Sequence, residues 1–252
     1  MKLLRELRAA LTFLTVVPLK PSEGGLVDAA LGMYWFPLIG AFIGSLAGAV
    51  AQLVAEIVPG LFTGVVAIGL ILAITGLNHL DGLMDLGDGL MAHGPPEERV
   101  KAMKDVQVGV GGFMLALLIV LLSIACVSEL PRQELLRSLA SSEAAAKLSM
   151  VLLASLEKPA YPGMGASFVK AARSPGWPTR LTVSIASCLG LAWWLMFLKG
   201  LLAVLSAMAL TLIVARASHN LLGGVTGDVF GALNEMARAA SLTTIVIAGR
   251  VL

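Results

Sequence analysis

Asn78-His79-Leu80-Asp81-Gly82-Leu83-Met84-Asp85-Leu86-Gly87-Asp88-Gly89-Leu90 follows directly on the apolar run Leu61 to Leu77. Asp81, Asp85 and Asp88 are spaced i, i+4 and i+7, so a helix here sets three carboxylates along one face, neighbours about 5–6 Å apart. Like charges that close repel one another and call for a cation. Mg²⁺ takes a few carboxylates and fills its remaining positions with water and phosphate oxygens. The stretch therefore predicts phosphate chemistry at a membrane edge, with Asp81, Asp85 and Asp88 as metal ligands and Asn78 and His79 beside them to meet substrate.

The rest of the chain supplies the bilayer segments. Of its 252 residues, 58% are hydrophobic and 13% charged, where soluble domains carry about 25% charged residues, and the mean hydropathy is +0.89. A spanning helix needs about 20 mainly apolar residues. Such runs lie at Leu31 to Val58, Leu61 to Leu80, Gly111 to Leu130, Leu139 to Leu156, Leu181 to Leu198 and Leu201 to Ser218, with a weaker one at Ala239 to Leu252. The expected fold is all-α, a polytopic integral membrane protein of about 6–7 transmembrane helices forming one domain over residues 1–252. Near the start, Leu3, Leu7, Leu11 and Leu14 recur at helical spacing opposite Lys2, Arg5, Glu6 and Arg8, and Pro18 cuts the apolar run short. That pattern predicts an amphipathic interfacial helix. A formal charge of +2 and the lack of a basic, aromatic-laced cluster exclude a nucleic-acid partner. Cys126 and Cys188 read as buried small hydrophobes.

Lys and Arg gather in cytoplasmic loops, and the connections are unequal. The turn at Pro59-Gly60 has none, whereas the segment Asp81 to Val110 holds Arg99, Lys101 and Lys104, and Glu157 to Arg180 holds Lys158, Lys170, Arg173 and Arg180. Alternating the spans puts both segments inside, together with His219 to Arg238, while Arg132 and Arg137 dissent. The active face is expected toward the cytoplasm.

These three loops carry the remaining polar chemistry. Met103-Lys104-Asp105 precedes Gly109, Gly111 and Gly112; the Lys offers a phosphate a point charge and the Asp a further ligand or base. Arg99 is a candidate for holding substrate. Gly223-Gly224-Val225-Thr226-Gly227-Asp228 reads as a glycine-hinged anion site in which Thr226 and Gly227 bind substrate and Asp228 completes the catalytic set. The basic residues of the middle loop either steer a phosphorylated substrate or serve topology alone. Glu143 and Lys147, i and i+4 within a predicted span, either neutralise each other or line the site.

The run Leu80 to Leu90, with Met103-Lys104-Asp105 and Gly224-Val225-Thr226-Gly227-Asp228, resembles the cobalamin synthase family, the adenosylcobinamide-GDP ribazoletransferases. Leu11-Thr12-Phe13-Leu14-Thr15-Val16-Val17-Pro18 and Phe36-Pro37-Leu38-Ile39-Gly40 echo it as well. The resemblance covers nearly the whole chain in order, and Asp81-Gly82-Leu83 to Asp88-Gly89-Leu90 is its specific part. It implies an Mg²⁺-dependent transferase of a prokaryotic inner membrane that joins α-ribazole, or its 5′-phosphate, to adenosylcobinamide-GDP and releases GMP. The chain departs from the family pattern where Val106-Gln107-Val108 replaces an Arg- and Ser-rich run. Homo-oligomerisation stays open. Two other readings compete. A CDP-alcohol phosphotransferase also sets aspartates at a membrane edge, but its pattern has an Arg shortly after the first Asp-Gly. A cation-coupled transporter would place its carboxylates near the bilayer midplane.

Overall fold

The computed structural model describes residues 2–20 and 22–252. Among them the ordered elements are helices: α1 (Lys2–Leu14), α2 (Gly25–Leu31), α3 (Phe36–Val54), α4 (Leu61–Ile74), α5 (Asn78–Met91), α6 (Pro96–Met103), α7 (Val110–Glu129), α8 (Leu135–Leu156), α9 (Met164–Ala171), α10 (Trp177–Leu222) and α11 (Gly227–Val251). The protein is an all-α, polytopic membrane protein, as the sequence predicts.

Counted as continuous helices, the spans are fewer than the sequence suggests. Four helices are long and apolar enough to cross a membrane, or five if the bent pair α4 and α5 forms one span. The difference has three physical sources. First, α10 is 46 residues long but breaks at Phe197, at φ 50° and ψ −131°. Gly200 returns against the Ala192 carbonyl, so two limbs fold back as a hairpin, and these limbs are the separate runs Leu181 to Leu198 and Leu201 to Ser218. Second, α4 has only 14 residues, about 21 Å at 1.5 Å per residue. Third, α11 begins at Gly227 and carries Glu235 and Arg238 within its body. The expected loop from His219 to Arg238 shrinks to the turn between α10 and α11.

Helix α8 is the axis, its apolar window 83% buried. Small residues let α3 lie against it: Gly40, Gly44 and Gly48 abut Glu143, Leu139 and Leu136 in descending order. This is an antiparallel small-residue contact that a Cβ at any of the three would open. Exposed Phe113, Met114, Leu118 and Leu121 on α7, with Trp193 and Trp194 on α10, form the outer apolar surface suited to lipid. Both cysteines are buried and free.

Helix α1 does form, but it turns a different face inward. Glu6, Ala9, Ala10 and Leu14 are its buried residues, while Leu3 and Leu4 are exposed. Glu6 is buried because the Tyr34 hydroxyl donates to it at 3.0 Å and Arg180 approaches at 3.4 Å. The paired acid thus pulls part of the charged face inside and docks α1 over the loop end of the bundle.

Candidate active site

Helices α4 and α5 meet at an angle of 95°, turned by Gly76 (φ 66°) and Leu77 (φ 63°). This puts α5 across the ends of α7 and α11, outside the spanning segments. Two glycines of the aspartate stretch make that seat. A Cβ on Gly82 would stand 2.7 Å from the Asp228 carbonyl oxygen, and one on Gly87 2.8 Å from the Gly111 carbonyl oxygen. Real Cβ atoms do not approach backbone that closely, so Gly82 sets α5 against the start of α11 and Gly87 against the start of α7. Gly231 has the same role from the other side, where a Cβ would be 3.1 Å from the His79 Cα. The stretch is a carboxylate face and a glycine packing face wound on one helix.

The aspartates differ in their surroundings. Asp81 is exposed, and Asp85 and Asp88 are half-buried. Burial pushes the Asp85 carboxyl up to about 7, with the charges of Asp228, Asp81 and Asp88 adding to it. Asp88 is already engaged: its oxygens accept the Gly109 and Gly112 N–H groups, each at 2.8 Å, and so cap the start of α7. The uncompensated charge therefore lies with Asp81, Asp85 and Asp228. Among the described residues, no group of three or more His, Cys, Asp or Glu side chains is arranged to enclose a metal ion.

A cavity of about 480 Å³ opens beside these carboxylates, within the size range of small-molecule sites. Asn78, His79, Asp81, Tyr161, Thr226, Gly227 and Asp228 form its polar wall. Its apolar wall is Phe13, Met33, Phe36, Met150, Phe168 and Phe230, whose four phenyl rings pack at centroid separations of 4.9 to 6.0 Å. Thr226 caps α11, its hydroxyl oxygen accepting from the Val229 N–H while its hydroxyl donates to Asp228 at 3.2 Å. Its loop is held by the Val225 N–H to the Lys158 carbonyl and the Ala160 N–H to the Val225 carbonyl, both 2.9 Å. Lys104 lies 3.8 Å from the centroid of the Tyr161 ring, a cation–π contact at the cavity wall. Burial, then the charges of Asp228 and Asp85, raise the Tyr161 phenol, which keeps it protonated and able to donate.

The model of the cobalamin-5-phosphate synthase family matches residues 6–246. The chain belongs to this family. Similar curated proteins include the adenosylcobinamide-GDP ribazoletransferases of Methanocella arvoryzae (35% identical, covering 95% of this chain and 94% of that protein) and Halorubrum lacusprofundi (34% identical, 98% of each). That of Methanosarcina barkeri is 31% identical over 93% of this chain and 89% of that protein. No solved structure matches the chain. The protein is an enzyme of the transferase class.

Within this cobalamin-5-phosphate synthase family member, the remaining predicted residues separate. Asn78, His79, Asp81, Thr226, Gly227 and Asp228 line one cavity, and Asp85 is electrostatically coupled to it. Arg99 instead donates to the Gly89 and Leu90 carbonyls at 3.1 and 3.0 Å, closing the C-terminal end of α5. Asp105 is exposed and accepts the Gln107 N–H at 3.0 Å. In the middle loop, Arg173 and Arg180 hold the Val169, Glu157 and Leu31 carbonyls, which is a structural use of both.

Sequence reasoning passed over the aromatic wall and Tyr161. It also placed Arg238 at a loop margin, whereas that side chain is fully buried and forms ion pairs with Glu143 and Glu235. Glu143 pairs with Lys147 at 3.1 Å as well, so the i, i+4 pair does neutralise itself, within a larger cluster. Glycine was the available signal for the packing face, since glycine inside a helix costs about 0.5–1 kcal/mol and needs a reason.

Proposed function

We propose that this enzyme joins α-ribazole, or its 5′-phosphate, to adenosylcobinamide-GDP and releases GMP, on the cytoplasmic face of a prokaryotic inner membrane. The observation that carries the reading is the two-sided cavity. Its aromatic and methionine wall suits the flat dimethylbenzimidazole of ribazole, and its polar wall suits the ribose and phosphate. A corrin ring with its amide side chains is far larger than this space, so the corrinoid stays outside with its pyrophosphate at the carboxylate edge. A membrane bundle thus supplies an apolar recess for the apolar moiety of an otherwise polar substrate pair.

The residues fit Mg²⁺. Asp81, Asp85 and Asp228 are oxygen donors on facing helices and share uncompensated charge, and Mg²⁺ asks for one or two carboxylates with water and phosphate oxygens rather than a protein cage. When bound, the ion would neutralise charge on the departing GMP and polarise the phosphorus under attack. The protein's own groups do the positioning. The phenyl rings hold the base, Thr226 and the Gly227 N–H at the start of α11 meet phosphate oxygens, and Lys104 adds positive charge. A ribazole hydroxyl attacks the phosphorus that remains with cobinamide, its P–O bond to GMP breaks, and Asp228 takes the hydroxyl proton. The basic segments Arg99 to Lys104 and Lys158 to Arg180 at the site end give the orientation.

The test is GMP release by purified detergent-solubilised protein given adenosylcobinamide-GDP, α-ribazole 5′-phosphate and Mg²⁺, with mass spectrometry of the corrinoid. Joined product, lost with chelator and in Asp85→Asn, is expected. Absence of product from folded, lipid-reconstituted protein would overturn the assignment.

A further inference from the structure

Beside the cavity lies a buried polar cluster that the proposed reaction does not use. Glu143, Lys147, Asn234, Glu235 and Arg238 are each at most 1% exposed. Arg238 pairs with Glu143 and Glu235, and Lys147 pairs with Glu143. Two cations thus balance two anions. Asn234 stands between them and reaches His79, which is 7% exposed and lines the cavity.

The donor inventory fixes every atom of this chain. The Lys147 ammonium only donates, so the Asn234 atom 2.7 Å from it is the amide oxygen. The Glu235 carboxylate, held by Arg238, only accepts, so the atom 3.0 Å from it is the amide nitrogen. Both constraints give the same amide orientation. Its nitrogen therefore also faces His79 Nδ1, at 3.2 Å. A donor opposite Nδ1 requires that nitrogen to accept, which an imidazolium cannot do. The ring is neutral, its single proton is on Nε2, and Nε2 has no protein partner among the described residues.

We infer that the buried Glu143–Lys147–Glu235–Arg238 cluster, through Asn234, locks His79 as a neutral Nε2–H donor directed into the cavity, where it hydrogen-bonds a phosphate oxygen of the bound substrate. His79 is thereby a donor to developing charge and not the base, and Asn234 and Lys147 are positioning residues. The tautomer stands on hydrogen bonding alone, whereas the phosphate contact rests on the proposed transferase reading. The phosphate-oxygen class follows from the neighbours: Asp81, Asp228 and Thr226 on the same wall favour a group that carries both a metal and hydrogen bonds.

The experiment is ¹⁵N NMR of the full chain in detergent with labelled histidine. There are three histidines, and His79 is the resonance missing from His79→Gln. The expected result at neutral pH is an unprotonated Nδ1 and a protonated Nε2, with the proton moved to Nδ1 in Asn234→Asp. An imidazolium or an Nδ1–H ring in the unaltered protein would overturn the lock, whatever reaction the enzyme catalyses. Turnover then tests the contact. His79→Gln keeps an amide N–H near Nε2 and should hold kcat within roughly tenfold, whereas His79→Leu should lose roughly 10²–10³ in kcat with little change in KM. Equal losses in the two variants would overturn the donor role. Failure of the unaltered enzyme to release GMP would defeat the transferase reading and, with it, the phosphate contact, leaving the tautomer decided by the spectrum.

Discussion

Two groups of charges lie close together in this bundle, and they obey opposite rules. Glu143, Lys147, Glu235 and Arg238 are dry, and each charge has a partner of opposite sign. Asp81 and Asp228 line a cavity and share one sign with half-buried Asp85 beside it, whose carboxyl burial and then these neighbouring charges push up to about 7. A balanced buried cluster completes itself within the protein. An unbalanced wet one is completed by something brought in. Charge in a membrane protein is therefore best judged by what neutralises it, and that test separates the part of this molecule that holds shape from the part that holds ligand.

The comparison predicts different costs for removing a charge. Arg238→Met leaves Glu143 and Glu235 buried beside a single Lys147, and breaking a buried pair costs about 3–5 kcal/mol. Denaturation in detergent should show that loss or a failure to accumulate folded protein. A stability change below about 1 kcal/mol would show that the cluster relaxes or hydrates when broken, since exposed pairs are worth about that little.

Asp85→Asn should do the reverse. It removes repulsion from Asp81 and Asp228, so unfolding should come at the same or a higher temperature, while turnover should fall roughly 10²–10³, the scale of losing one major charge-stabilising group. Added Mg²⁺ should raise the melting temperature of the unaltered protein and leave that of Asp85→Asn nearly unmoved. A variant as unstable as Arg238→Met would erase the distinction between the two regions.

The two regions were not equally legible in sequence. The carboxylate face was, because Asp81, Asp85 and Asp88 sit within one short helix whose period can be counted. The helical class and membrane setting were equally plain from the apolar runs. The buried cluster was not, because Glu143 and Arg238 are 95 residues apart and nothing local says that they meet. Arg238 looked like a topology charge for the same reason. The inward turn of Glu6 on α1 was also hidden, since it depends on Tyr34 and Arg180 farther along the chain, whereas the break at Phe197 falls at the end of the apolar run Leu181 to Leu198, where the sequence already divides it from Leu201 to Ser218. The aromatic wall draws one ring each from α1, α3, α9 and α11, so no single stretch betrays it.

Gly82→Ala probes the seam within the carboxylate region, where α5 meets the start of α11. The new Cβ would stand 2.7 Å from the Asp228 carbonyl oxygen and 2.9 Å from its Cα, and backbone cannot rotate away as a flexible side chain can. Overpacking of this kind costs about 1–3 kcal/mol, offset in part by the better helix propensity of Ala. Because the strain separates Asp81 and Asp85 from Asp228, turnover should fall more than stability, and a higher Mg²⁺ concentration should be needed for half-maximal rate. A loss of stability without any change in Mg²⁺ dependence would mean that α5 shifts as a unit and that the carboxylates do not act across the seam.

Asp88 belongs by sequence to the carboxylate face and by contacts to the fold, which makes it the sharpest small test. Its oxygens hold the Gly109 and Gly112 N–H groups at 2.8 Å each, and loss of a helix cap costs about 0.5–2 kcal/mol. Asp88→Asn keeps one acceptor oxygen and should lose less stability than Asp88→Ala. If capping is its main contribution, turnover should follow stability across the two variants, and both should retain the Mg²⁺-induced rise in melting temperature that Asp85→Asn lacks. If Asp88→Asn instead abolishes that rise while the protein stays as stable as before, Asp88 leaves its cap to join the ion. The boundary between shape-holding and ligand-holding charge would then run through a single carboxylate.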